Sequence, residues 1–206
     1  MWEIHKNLKD SRLTTLFPRY IMEIYILPII MPFFYQKGKK MSRTEKLIKL
    51  ENPCPWSGGA PCPFIAANGR NVALFYVMQG SLYENVQLPD NRVTDDMTDN
   101  HALVTFQHAY AYKTEGINDE VFFAHPLLKQ MLGYEIFLVK NSAWIKEQQK
   151  IHSKHLYYSK KEWKTLKHYL FVFHDEIFHC IAERFTVVSY RKSYKEMKQI
   201  LLKSLN

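Results

Sequence analysis

The stretch HYLFVFHDEIFHCIAE, residues 168–183, decides how the rest of the chain is read. Two runs of aromatic and β-branched residues flank His174-Asp175-Glu176, and Asp is a common turn former, so the stretch predicts a β-hairpin. A two-residue turn at Asp175-Glu176 would set Phe173 across from Phe178, Phe171 across from Cys180 and Tyr169 across from Ala182. Side chains alternate faces along a strand, so these six share one face. It is apolar apart from a tyrosine hydroxyl and reads as core, with Cys180 a small buried hydrophobe. The other face would carry His168 across from Glu183, Leu170 across from Ile181, Val172 across from His179, and His174 near Ile177. It is half apolar, which predicts that another element or a partner covers it.

The stretch also holds three of the nine histidines. His168 and His174 lie six residues apart on one strand, about 20 Å, too far to share a metal. His168 with Glu183 reads as a cross-strand pair worth up to about 1 kcal/mol. Structural roles are expected for these side chains. The alternative is a ligand or proton-transfer site on the second face, because histidine titrates near neutrality.

Outward from the hairpin, NVALFYVM (71–78) and YEIFLV (134–139) read as strands. In ALVTFQHAYAY (102–112), alternation puts Val104, Phe106, His108, Tyr110 and Tyr112 on one face. Residues 79–100 read as a short strand at most and then an acidic loop, and 44–50 as a helical or irregular lead. Pro126 at a first turn and Gly133 past the end predict a short helix. Ser142 caps a helix over NSAWIKEQQKIH, and Ser159 with Glu162 reads as a capping box. SYKEMKQILLKSL is an amphipathic terminal helix with Met197, Ile200, Leu201 and Ser204 on one stripe. Strands cluster and helices do not alternate with them, so the expected class is α+β: an antiparallel sheet flanked by a few short helices.

The chain has 206 residues, 47% hydrophobic and 15% aromatic, with seven glycines and nine prolines, which excludes collagen-like and low-complexity classes. Three cysteines make no disulfide framework, and the eight-residue spacing of Cys54 and Cys62 is wrong for a zinc knuckle. Free thiols in a reducing cytosol are expected. No phosphate-cradling glycine loop, zinc-binding helix or nucleophile-elbow motif is present, so neither a metal nor a cofactor is expected.

The net charge of +8 is uneven. Residues 41–139 carry 7 Lys/Arg against 11 Asp/Glu, whereas 140–167 carry 8 against 2 and 184–206 carry 6 against 1. A basic face attracts nucleic acid or an anionic surface. Lysine dominates the run, while arginine is the usual reader of phosphates and bases, so a solvated surface is the simpler reading.

Residues 1–40 read as a separate segment. The apolar run Tyr20–Tyr35 contains Glu23, Pro28 and Pro32 and falls short of the ~20 apolar residues a spanning helix needs. Lys37-Gly38-Lys39-Lys40-Met41 can be encoded with AAGGA just ahead of ATG, a ribosome-binding pattern. The expectation is that residues 1–40 are a start-site misassignment, or else a disordered or apolar tail, and that 41–206 form a single globular domain. Intact mass of the native protein tests it.

The elements PWSGGAPCP (55–63), GINDE (116–120), HPL (125–127), NSAW (141–144) and KHYLFVFHD with FHCIA (167–182) resemble an uncharacterised bacterial protein family. The resemblance spans most of the chain after Met41 and implies no activity, cofactor or substrate. This chain departs from the family pattern at Glu176 and Ile177, where small hydroxyl residues stand, and at His179, where a glutamate precedes the cysteine.

Two function classes follow. The leading one is a cytosolic binding or accessory protein with a small ligand or a protein partner. The other is a small enzyme with a site built from Asp119, His125, Asn141, His174 and Asp175, since a histidine beside a carboxylate suits general-base work. Weak nucleic-acid binding through 140–203 is a third reading. In PCPWSGGAPCP, four prolines limit the entropy lost on ordering. An ordered loop is expected, with Trp56 inserted as a plug between the sheet and a helix.

Overall fold

Every strand pairing is antiparallel, and the strands divide between two sheets. The structure is a computed structural model that describes residues 45–59, 61–81, 95–130 and 133–206. The segment 1–40, and with it the expectation about its origin, lies outside the described residues, as does most of the acidic loop. The first sheet has the order β1 (Lys46–Leu50), β6 (Ile136–Lys140), β7 (Lys167–Val172), β8 (Ile177–Ala182), β5 (Ala111–Glu115). The second has the order β2 (Phe64–Asn68), β3 (Asn71–Val77), β4 (Thr98–Gln107), β9 (Arg184–Ser193). The helices are α1 (Ala143–His152), α2 (Lys160–Thr165) and α3 (Tyr194–Lys203), with 3₁₀ turns at Asp119–Ala124 and Leu128–Gln130. The class is α+β, as the sequence implies, but with two sheets in place of one.

The second sheet arises because two long runs change sheets midway. The 102–112 run does not alternate to its end: it breaks at His108, whose φ is +51°, giving β4 and β5. The run after the hairpin breaks at Glu183, giving β8 and β9. The corner is stitched by Glu183 N–H donating to Gln107 O (3.1 Å) and Tyr110 N–H to Ile181 O (2.7 Å). The Glu183 carboxylate also meets His108 Nδ1 at 2.6 Å. Glu183 therefore pairs with His108, not with His168.

The hairpin turn sits one residue earlier than expected. Phe173 N–H donates to Glu176 O (2.9 Å), leaving His174-Asp175 as the two turn residues. Every partner shifts by two: Val172 faces Ile177, Leu170 faces His179 and His168 faces Ile181. A two-residue shift preserves both faces. It also pairs Val172 with Ile177, apolar on apolar, where the expected register set Val172 against a histidine.

The inner face is core, as expected. Tyr169, Phe171, Phe173, Phe178, Cys180 and Ala182 pack with Val72, Leu74 and Tyr76 of β3 and with Val104 and Phe106 of β4. Trp56 enters this same inter-sheet core. It is buried, bridges Met78 and lies 4.8 Å from the Phe173 ring and 5.5 Å, edge-on, from Tyr76. The plug sits between two sheets and not between a sheet and a helix. Ser57 N–H to Val77 O (3.0 Å) and Gln79 N–H to Pro55 O (2.8 Å) fasten its loop.

Both outer faces are covered as well. Helix α3, opened by a Ser193/Glu196 capping box, lays Met197 and Leu201 on Ala73, Phe75 and Leu103 of the second sheet. On the first sheet, Leu127 and Leu128 cover Phe137, Val139, Leu170, Val172 and Ile177. In place of the single helix expected around Pro126, the described residues carry 3₁₀ turns at Asp119–Ala124 and Leu128–Gln130, and the Asn118 and His125 side chains accept the N–H groups of Glu120 and of Leu127 and Leu128. The lead into the proline loop is strand β1, not helix. Among the described residues, no helix is long and apolar enough to cross a membrane.

Candidate functional site

The shifted register brings together what the sequence separated. On the outer face of the first sheet, His168 and His179 become diagonal neighbours, with His168 Nε2 3.0 Å from His179 Nδ1. Beyond His168, its Nδ1 meets Ser142 Oγ at 2.9 Å. Beyond His179, its Nε2 faces Glu115 Oε1 at 3.5 Å. Glu115 also meets His125 Nε2 at 3.3 Å and the Lys113 ammonium. The row crosses the sheet strand by strand: Ser142 after β6, His168 on β7, His179 on β8, Glu115 on β5.

The proton positions follow from the partners. Ser142 Oγ accepts the Ile145 N–H (3.1 Å) as the cap of α1, and its own proton is assigned toward His168 Nδ1, the tautomer that leaves a His179 proton on the Glu115 side. His168 then donates from Nε2 to His179 Nδ1. That assignment leaves the His179 proton on Nε2, on the side of the Glu115 carboxylate but outside hydrogen-bond geometry. His125 Nδ1 accepts two backbone N–H groups, so its Nε2 carries the proton toward Glu115. The hydrogen-bonded row is Ser142, His168 and His179; the Glu115 carboxylate lies 3.5 Å beyond His179 Nε2 as a charge contact and not a hydrogen bond, with His125 and Lys113 on the same carboxylate.

Ser142, His168 and His179 are all buried, and Trp144 of α1 lies edge-on over both imidazoles at 5.1 and 6.2 Å. Burial holds His168 well below the usual histidine range, with the neighbouring His179 and Lys113 acting the same way. Burial likewise pushes His179 down to about 3. Both imidazoles are therefore neutral at physiological pH. The His125 hydrogen bond, followed by Lys113, holds Glu115 far below the usual carboxylate range, so it is ionised.

At its Ser142 end the row meets a cleft of about 320 Å³. Asn141, Ser142 and His168 line it, with Leu138, Ile145 and Leu166 among its apolar walls. Lys140, Lys146, Lys164 and Lys167 also line it, one each from β6, α1, α2 and β7. No carboxylate lines the cleft, and among the described residues none of these four lysines forms an ion pair. The basic run 140–167 is thus partly a rim.

The residues singled out from sequence divide between two ends of the sheet. Asn141, left-handed at φ +57°, closes β6 beside Ser142 in the cleft. His174 and Asp175 form the hairpin turn, with His174 Nδ1 3.0 Å from Asp175 Oδ2 and its ring 5.5 Å from Tyr134. Leu138 pairs with Tyr169, so Asn141 lies near residue 166, eight positions from His174, over about 20 Å away. His125 joins the row through Glu115, which faces Ile177 at the turn end. Asp119 opens the first 3₁₀ turn.

In the sequence Ser142 reads only as a helix cap, the expected hairpin register keeps His168 and His179 apart, and no motif singles out Lys113 or Glu115. Alternation along 111–115 places the last two on one face, which was a usable signal. Their position beside His179 depends on β5 pairing with β8, more than sixty residues away, and no local pattern encodes that. Among the described residues no cluster of three or more ligating side chains could hold a metal ion. No protein-family model, curated protein or solved structure matches the chain.

Proposed function

We propose that this chain is a binding protein for a small anionic ligand, held in the lysine-rimmed cleft above Ser142 and His168. The observation that carries the reading is the lining of the cleft: four lysines from four different elements and no carboxylate. Unpaired ammonium groups sharing one concavity raise the local positive potential, and an anion relieves their mutual repulsion. The floor suits such a ligand, because Ser142 and His168 are held in fixed orientation and carry no charge of their own. The volume fits one small molecule rather than a polymer, so nucleic acid ranks second as occupant. A cytosolic location goes with this reading, supported by three free thiols, Cys54, Cys62 and Cys180. The resemblance in sequence to a bacterial family adds no ligand.

Titration with inorganic phosphate, pyrophosphate and a tricarboxylate, followed by calorimetry, tests the reading. Saturable binding is expected that weakens with salt and falls at least tenfold in a Lys164→Ala, Lys167→Ala double variant. Binding absent for all three anions, or unchanged in that variant, refutes it. Tighter binding of a single-stranded oligonucleotide than of pyrophosphate would transfer the site to nucleic acid.

A further inference from the structure

We propose that Ser142 is a nucleophile, and that the anion the cleft admits is an ester carrying a separate negative charge, which Ser142 opens. The inference rests on the anion-binding reading for its substrate class and on the buried row for its chemistry. A hydroxyl, a base within about 2.6–3.2 Å of it and a third group orienting that base are the structural signature of an activated nucleophile. Ser142 Oγ and His168 Nδ1 are 2.9 Å apart, and His179 orients His168 at 3.0 Å from its other nitrogen. The Glu115 carboxylate sits behind His179. Both reacting side chains line the cleft. They are presented by a strand, a left-handed Asn141 and the first turn of a ten-residue helix, whose Ala143 N–H donates to the Glu45 carboxylate.

The step balances as follows. Ser142 Oγ bonds to the ester carbonyl carbon while its proton passes to His168 Nδ1. His168 is then a cation whose Nε2–H is shared with His179, and the Glu115 charge offsets it. The tetrahedral adduct collapses, the ester C–O bond breaks, and the departing alcohol takes the proton from His168 Nδ1. Water, deprotonated by the same nitrogen, attacks the acyl carbon, releases the acid and restores the Ser142 hydroxyl. Ester and water give acid and alcohol, and no other reactant is needed. Ser142 and His168 are the catalytic residues in this scheme, and His179 and Glu115 are positioning residues.

The test is labelling of the full chain with a fluorophosphonate, which bonds phosphorus to an activated serine oxygen and expels fluoride. Intact mass and peptide mapping locate the adduct. One adduct at Ser142 is expected, blocked by excess inorganic phosphate. Ser142→Asn keeps a good helix cap, so it should melt as a folded protein and take no label. Glu115→Gln should slow labelling at least tenfold and move the rising limb of its pH profile to lower pH, which a merely structural role would not do. A p-nitrophenyl ester of succinate should be hydrolysed at least tenfold faster than p-nitrophenyl acetate. Adducts scattered over exposed serines, or a Ser142 label unaffected by His168→Asn, overturn the nucleophile. Phosphate binding without a Ser142 adduct overturns the nucleophile alone. Labelling at Ser142 with no preference for the anionic ester overturns the substrate class, and the anion reading falls with it only if phosphate also fails to block the label.

Discussion

Replacing Trp56 by alanine should be among the most damaging single changes to this fold. Only 6% of the side chain is exposed. A buried tryptophan hides up to about 250 Å², which at about 25 cal/mol per Å² corresponds to roughly 6 kcal/mol of transfer. Alanine recovers a small part of this, and the collapse of neighbours around the hole recovers more. The edge-on contact with Tyr76 and the tilted contact with Phe173 are lost outright. The site collapses poorly, because the hole lies between two sheets whose strands are fixed by their own ladders. A cost of about 4 kcal/mol follows, inside the range of about 3–5 kcal/mol for such truncations. For a domain of this size that lowers Tm by roughly 10 °C or more. Urea unfolding monitored by far-UV circular dichroism measures it, with an unchanged m-value showing that the unfolded state is not the source. A cost below about 1 kcal/mol would mean that Trp56 is not a plug, and its loop would then be better read as a lid.

Further outcomes follow from the site and the helices. The pKa values of His168 and His179 are depressed on folding, so the unfolded chain takes up protons that the native state refuses, and stability falls as pH drops below about 6.5 toward 3. His179 should contribute about 2 kcal/mol of that loss between pH 7 and 5, and His168 adds to it in the same direction, read as a lower urea midpoint; a flat profile would contradict the neutral row. Glu115, depressed in the other sense of charge, adds a further loss as pH falls through and below its ordinary 4.5. Ser142→Ala removes both a helix cap and the partner of His168 and should cost about 2–3 kcal/mol, while Ser142→Asn should cost distinctly less in the same thermal melt. Met197→Ala should cost about 2–5 kcal/mol by denaturant titration, since α3 holds to the second sheet through that side chain and Leu201. Glu183→Ala should leave the melt nearly unchanged, because its ion pair with His108 is exposed.

Much of this architecture was legible because its signals are local. Alternation along 168–182 sorted six side chains into the core correctly even with the turn misplaced by one residue. A period of two makes the faces insensitive to an even shift. The cap at Ser142 and the stripe of α3 were equally local. The partition into two sheets was not, because it depends on a left-handed His108 and a break at Glu183, both inside runs that read as continuous strands. The candidate site was the least legible part. Whether His168 meets Glu183 or His179 turns on which two residues make the hairpin turn. Whether Glu115 lies behind them turns on a strand pairing between distant segments. Lysines 140, 146, 164 and 167 look like any solvated helix surface until β6, α1, α2 and β7 are placed around one cleft.

The corner at His108 and Glu183 also fixes an order of events during synthesis. Strand β4 is ten residues long, and its partner β9 is made roughly 75–95 residues later, as Thr98 facing Ser193 and Gln107 facing Arg184 show. At about 5–20 residues per second, a growing chain waits several seconds or more between the two. Throughout that interval β4 can pair with β3 on one side, while its other side remains an open row of amides and carbonyls. An unpaired edge of that length invites pairing with another chain. Slower growth at low temperature lengthens the wait, so the yield of native protein should depend on how well nascent chains are kept apart until residue 193 has left the ribosome.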